Sequence, residues 1–351
     1  MEKLKEIMEK TFSRRKFLAG AGGVAAASVA VGLTGCGGSS SPSSPVIPPP
    51  PTSGNFTDAD VLNFALNLEY LEAQFYLYAA TGNGLSSADT AAPSGYTGSY
   101  TEGTVTVGGA AMVAGTNTQQ QDVINEIAYE EQEHVRFLRS ALGSAAVPMP
   151  SIDLSFFGPL ATAAGISGPT FNPFSSFDYF LVGAFIFEDV GVTAYAGAAP
   201  LISAAGVAAG YLTAASGILA VEAYHAAYIR TAITANAIAA GSASAYPYFT
   251  AANQVAALRA MLTIGNSGAP STATGNNGAP GSSSSVETAL TLPTSKTTAS
   301  AIVAADPTNA LGFARSVNQV LHVVYGSSTV GAADGGFFPD GVNSIFATTT
   351  A

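Results

Sequence analysis

The sequence predicts an all-α protein: a four-helix bundle with long first and second connections and a helical or irregular C-terminal extension. Three observations carry this. Four long segments show helical periodicity, each bounded by capping or helix-stopping residues. All four are apolar almost all round, with Ala and Gly permitting close approach, which implies burial on most sides. The connection between the third and fourth is short, which forces antiparallel neighbours, whereas the second is long enough to cross the end of a bundle.

Residues 1–36 read as an export signal. The run from Ala19 to Leu33 is too short and too rich in Gly and Ala for a membrane span, which takes about 20 strongly apolar residues. It suits the apolar region of a signal peptide. Arg14 and Arg15 in "SRRKFL" resemble the twin arginine of bacterial signals that export folded proteins. "LTGC", ending at Cys36, resembles a lipoprotein box and implies lipidation of that residue, the only cysteine of the chain. The expected location is therefore outside the cytoplasm, periplasmic or at the cell surface, with a lipid anchor at a membrane. Residues 37–56, dominated by Pro, Ser and Gly, read as a tether.

Residues 1–36 hold six of the 12 Lys and Arg and three of the 23 Asp and Glu. The remainder keeps six bases against 20 acids, which excludes the basic patches of a nucleic-acid binder and favours cations as partners.

The bundle is expected over 57–241. Its first helix runs from about Asp58 to Ala80, with Thr57 or Asp58 as N-cap and Gly82 as stop. The second spans about Gln119 to Leu142. The third lies between Pro173 and Pro200, and the fourth covers about Ala205 to Ala240. "YTEGTVTVGG" in the first connection is predicted as a small hairpin. The extension, 242–351, offers a helical pattern after Gly241, a low-complexity insert within 266–300, and a second helical pattern over 309–326.

Only 10% of residues are charged and only three are histidines, so charge inside these helices is informative. Steps of three and four place Glu131 and His134 on the inward seam of helix two. They place Glu222 and His225 on that of helix four, in "GILAVEAYHAAYI". Residues i and i+3 share a helix face, so each carboxylate–imidazole pair can bind one ion. Helix one adds Glu69 and Glu72, and helix three adds Glu188. A Glu from each of two helices with Glu-x-x-His from each of the others is the donor set by which four-helix bundles hold two iron or manganese ions. No Lys or Arg lies within a turn of Glu188 or Glu222, and two divalent ions would balance Glu69, Glu131, Glu188 and Glu222 with both histidines neutral. A thiolate-free set suits Fe or Mn, and less often Zn. Tyr76 and Tyr195 each lie two turns beyond a seam Glu. Glu130, Glu133 and Arg136 read as ordinary exposed surface, with Glu130 the substitute ligand if the helix is rotated. His322 reads as structural.

"EEQEH" and "LEYLEAQFY" resemble the second and first helices of ferritins and bacterioferritins. The resemblance spans roughly 57–240. It implies a ferritin-like bundle with Glu69, Glu131, His134, Glu188, Glu222 and His225 as metal ligands. It also makes Glu188 a bridging carboxylate and places Glu72, Tyr76 and Tyr195 behind the ligands. "NQVLHVVYG" and "GGFFPDGVN" are similar to the tail of exported ferritin-like proteins described as desiccation-related. The implied chemistry is oxidation of two Fe ions, or Mn, by O2 or peroxide. The alternative is a non-enzymatic stress or desiccation protein with a structural metal. Long loops and a lipid anchor do not fit a ferritin cage, so iron storage is not expected.

Overall fold

The computed structural model describes residues 56–109, 111–166, 171–264, 287–293, 302–305 and 310–350. The export and lipidation motifs (Arg14, Arg15, Cys36) and the tether up to residue 55 lie outside the described residues, as does most of the insert.

The bundle consists of α1 (Asp58–Thr81), α2 (Thr118–Leu142), α3 (Phe177–Ala198) and α4 (Tyr211–Ala239). α1 starts at a capping box in which Thr57 accepts from the Asp60 backbone and Asp60 reaches back, and it stops at left-handed Gly82. Asn117 and Gln120 form the same box at the start of α2, and Ser176 caps α3. α1 packs along α2 and α3 along α4. The two pairs meet where α1 crosses α3, while α2 and α4 are held apart.

α1 and α3 are buried on nearly every side because the C-terminal extension covers the face that α2 and α4 leave free, whereas α2 and α4, contrary to the expectation for all four helices, bury one face only. Two further helices, α5 (Pro247–Ile264) and α6 (Val317–Val324), pack on α3. Phe337 sits edge-on to Phe157 and Phe187, and Asn67 on α1 exchanges hydrogen bonds with the Asn343 backbone at 2.8 and 3.1 Å. α3 is long and apolar enough to cross a membrane by composition, yet most of it is buried inside the fold.

Two expectations are corrected. The fourth helix is not continuous from residue 205: a short helix, Ala204–Ala209, ends at Gly210 with φ 91°, and α4 starts afresh. That conformation strains any residue with a Cβ, so a glycine at the junction ends one helix and redirects the chain. The "YTEGTVTVGG" stretch does not fold on itself either. Its strand β1 (Val105–Thr106) pairs in parallel with β2 (Ile152–Asp153), tying the first long connection to the second.

Three of the five arginines beyond residue 36 are interior. Asp189 on α3 accepts from Arg230 and Arg259, each at 2.7 Å. Arg259 also donates to Glu287 at 2.8 Å, and Arg315 donates to Glu287 and, at 2.8 Å, to Thr193. The network joins α3, α4, α5 and two stretches of the extension, and the side chains of all five charged residues are buried. Within the stretch 266–300, residues 287–293 are thereby held against the bundle, with Leu290 exchanging hydrogen bonds with Asn253.

Candidate metal centre

Helix packing brings the six seam residues together at mid-bundle. Glu69, Glu131, Glu188 and Glu222 are 0–1% exposed, His134 and His225 less than a tenth. They form two groups whose donor atoms lie within 4.8 Å of one another: Glu69, Glu131, His134 and Glu222, then Glu131, Glu188 and His225. Glu131 belongs to both. Its Oε2 is 3.3 Å from His134 Nδ1, and its Oε1 is 3.1 Å from His225 Nδ1. Glu69 Oε2 faces His134 Nδ1 at 3.3 Å, and Glu188 Oε2 faces His225 Nδ1 at 3.4 Å.

This corrects the role inferred for Glu188. The carboxylate shared between the groups is Glu131, because α2 faces both α1 and the α3–α4 pair at this level. Glu188 reaches only the His225 side.

Glu69 Oε2, Glu131 Oε1, Glu188 Oε2, both oxygens of Glu222 and Nδ1 of His225 are buried and make no hydrogen bond, their approaches to one another as ion pairs apart. Buried polar atoms are nearly always satisfied, so this many orphans turned towards one space fits missing cations. The titration behaviour agrees. Burial raises the Glu69 carboxyl to about 7, and burial followed by neighbouring carboxylates pushes Glu222 and Glu72 well above their ordinary value. Burial opposes charge on the histidines, but Glu69 and Glu131 outweigh it and lift His134 to about 11. Glu188 and Glu131 likewise lift His225 to about 12. Without metal, two imidazolium protons thus offset part of the carboxylate charge.

A metal ion must expel those protons. Affinity for Mn(II) is therefore expected to rise with pH, by about tenfold per unit for each proton released between about pH 6 and 8. Titrations at three pH values check this, and pH-independent binding contradicts it.

The two tyrosines cross between helices. Tyr76 on α1 donates to Glu188 on α3, and Tyr195 on α3 donates to Glu69 on α1. Each fixes the carboxylate oxygen that faces away from the shared space. Glu72 is buried beside the group.

Glu130 is not simple surface, which corrects the reading of that residue. Its side chain is about a third exposed, and its Oε2 lies 2.6 Å from His225 Nε2. A carboxylate on the outer nitrogen of a ligating histidine fixes the ring's tautomer and orientation. Its neighbours behave as expected: Glu133 and Arg136 pair with each other at 2.7 Å, and Arg136 also holds Asp89. His322 lies far along the chain, with Nδ1 2.6 Å from the Ser327 carbonyl, a structural role.

Between α2 and α4 a cavity of about 270 Å³ runs from the surface to His225, lined also by Glu126, Glu130, Tyr224 and Tyr228. It is where the two helix pairs fail to close.

Fold and site define a class: a four-helix bundle with buried carboxylate–histidine groups able to hold metal ions. The chain belongs to the ferritin-like domain family, whose pattern it matches over residues 57–235. It is 32% identical over 149 residues to the ferritin-like catalase Nec2 of Nesocodon mauritianus, covering 41% of this chain and 44% of that protein. It is 33% identical over 178 residues to the desiccation-related protein PCC13-62 of Craterostigma plantagineum, covering 50% and 52%. The chain thus spans about half the length of the curated relatives it matches. No solved structure matches.

Proposed function

We propose that this protein is an exported, lipid-anchored, ferritin-like oxidoreductase with two iron or manganese ions, acting on peroxide or O2. The observation that carries the reading is the pair of buried donor groups sharing Glu131, with orphaned atoms turned inward. Glu69, Glu131, His134 and Glu222 would hold one ion, and Glu131, Glu188 and His225 the other. The name of one relative, ferritin-like catalase, favours peroxide as substrate.

Two bound ions would supply and take back two electrons, so that one peroxide is reduced to water and a second is oxidised to O2. The chain's own residues prepare the place. Tyr76 and Tyr195 hold Glu188 and Glu69 from behind. Glu130 orients His225 at the inner end of the cavity, the route by which a small oxidant enters. Aliphatic neighbours such as Ile124, Ile127 and Ile229 keep the surroundings dry and strengthen every charge interaction inside. Cys36 and the twin arginine support export and anchoring, and export in the folded state fits a site loaded before transport.

The second reading, a non-enzymatic desiccation or stress protein with a structural metal, draws on the other relative's name. Anaerobic loading with Fe(II) or Mn(II), followed by peroxide or O2, separates the two. Oxygen evolution or consumption with a transient absorbance band supports the enzyme. Bound metal that stays inert supports the structural role.

A further inference from the structure

Each bundle helix presents a pair of positions one turn apart to the metal centre: Glu131 and His134, Glu222 and His225, Glu69 and Glu72, and Glu188 and Gly191. Where α2 and α4 carry a histidine, α1 carries a fifth carboxylate and α3 carries no side chain at all. A Cβ on Gly191 would collide with Glu222 Oε2, and would lie 2.9 Å from the Glu222 carboxylate carbon and 3.3 Å from Glu72 Oε1. Glu72 and Glu222 therefore meet in the space that Gly191 leaves open.

Glu72 is 5% exposed, and no described residue hydrogen-bonds or ion-pairs with it. On its outer side lies a small cavity beneath the C-terminal extension, lined by Leu68, Leu71, Val190, Val324 and Phe337 among other apolar residues. Nothing there can compensate a carboxylate. Among the described residues, the polar side chain that meets it across Gly191 is Glu222. A buried carboxylate needs a cation or a hydrogen-bond partner, and a glycine inside a helix needs a reason. One arrangement accounts for both.

We infer that Glu72 is a fifth carboxylate ligand of the metal centre, binding the ion held by Glu69, Glu131, His134 and Glu222. Gly191 is the positioning residue that makes room for it. This rests on the two-metal reading above. Five carboxylates exceed the charge of two divalent ions by one. The site consequently favours the trivalent state more than a four-carboxylate site does, which suits a centre that must be oxidised readily by peroxide.

The test uses the intact protein with Co(II) as probe, because the intensity of its visible absorption falls as coordination number rises. Glu72→Gln is expected to weaken one of two Co(II) ions about 10- to 100-fold, the scale at which metal sites respond to lost support, and to strengthen the absorption. Gly191→Ala, which crowds Glu222 and Glu72, is expected to weaken the same ion while the metal-free helix content is kept. Because Gly191→Ala also displaces Glu222, Glu72→Ala decides the matter if Glu72→Gln does not fold. Two Co(II) ions bound by either folded variant with wild-type affinity and spectrum overturn the assignment. Failure of the wild type itself to bind two ions overturns the two-metal reading instead, so the two failures are distinguishable.

Discussion

Glu131→Ala is expected to remove both metal ions, whereas Glu188→Ala removes one. The difference follows from geometry. Glu131 supplies one oxygen to each group, facing His134 at 3.3 Å and His225 at 3.1 Å. Glu188 faces only His225. The metal-free Glu131→Ala protein stays folded, because the core around the site is aliphatic and Glu69 and Glu188 remain beside His134 and His225 to offset their charge. Metal analysis after Mn(II) loading reads the result: near zero for Glu131→Ala and about half the wild-type content for Glu188→Ala. Equal losses in the two variants would show that the bridging role is misassigned.

Asp189→Ala is expected to destabilise the metal-free protein by about 3–5 kcal/mol, the scale for breaking a buried ion pair by removing one partner. Asp189 takes a hydrogen bond from Arg230 and another from Arg259, both buried. Without it, Glu287 is the one carboxylate among the described residues of the network left to offset three interior guanidinium groups. The loss should appear as a lower denaturant midpoint without metal. A change below about 1 kcal/mol would mean the network adds little to stability. Burial pushes the Asp189 carboxyl up, but Arg230 and Arg259 outweigh that and hold it below its ordinary value of 3.8. Its stabilisation is therefore present above the ordinary value and lost as pH falls through the folded one. The variant should accordingly show a shallower loss of stability in acid.

The bundle and the six seam residues were legible because charge is rare in these helices. No Lys or Arg lies within a turn of Glu222 in "GILAVEAYHAAYI", and the same holds for Glu188. Periodicity gave the face each residue occupies. It could not give the rotation of one helix against another, and that rotation decides that Glu131 is shared while Glu188 is not. The crossing of Tyr76 to Glu188 and Tyr195 to Glu69 depends on the same packing. Glu130 sits one position from Glu131, so spacing assigned it to solvent. Its contact with His225 exists because α2 and α4 stand apart and leave a cavity. Gly191 resembled any other small residue of α3, and its significance depends on two side chains from other helices. The interior arginine network joins residues 189, 230, 259, 287 and 315, a span over which no local pattern carries information.

Metal content is the most direct measurement. The protein is loaded anaerobically with Fe(II) or Mn(II), freed of excess ions by gel filtration, and analysed beside a Glu222→Ala, His225→Ala double variant. About two ions per wild-type chain, with clear loss in the variant, is the predicted result. Fewer than one ion per wild-type chain, or undiminished binding in the variant, would contradict it.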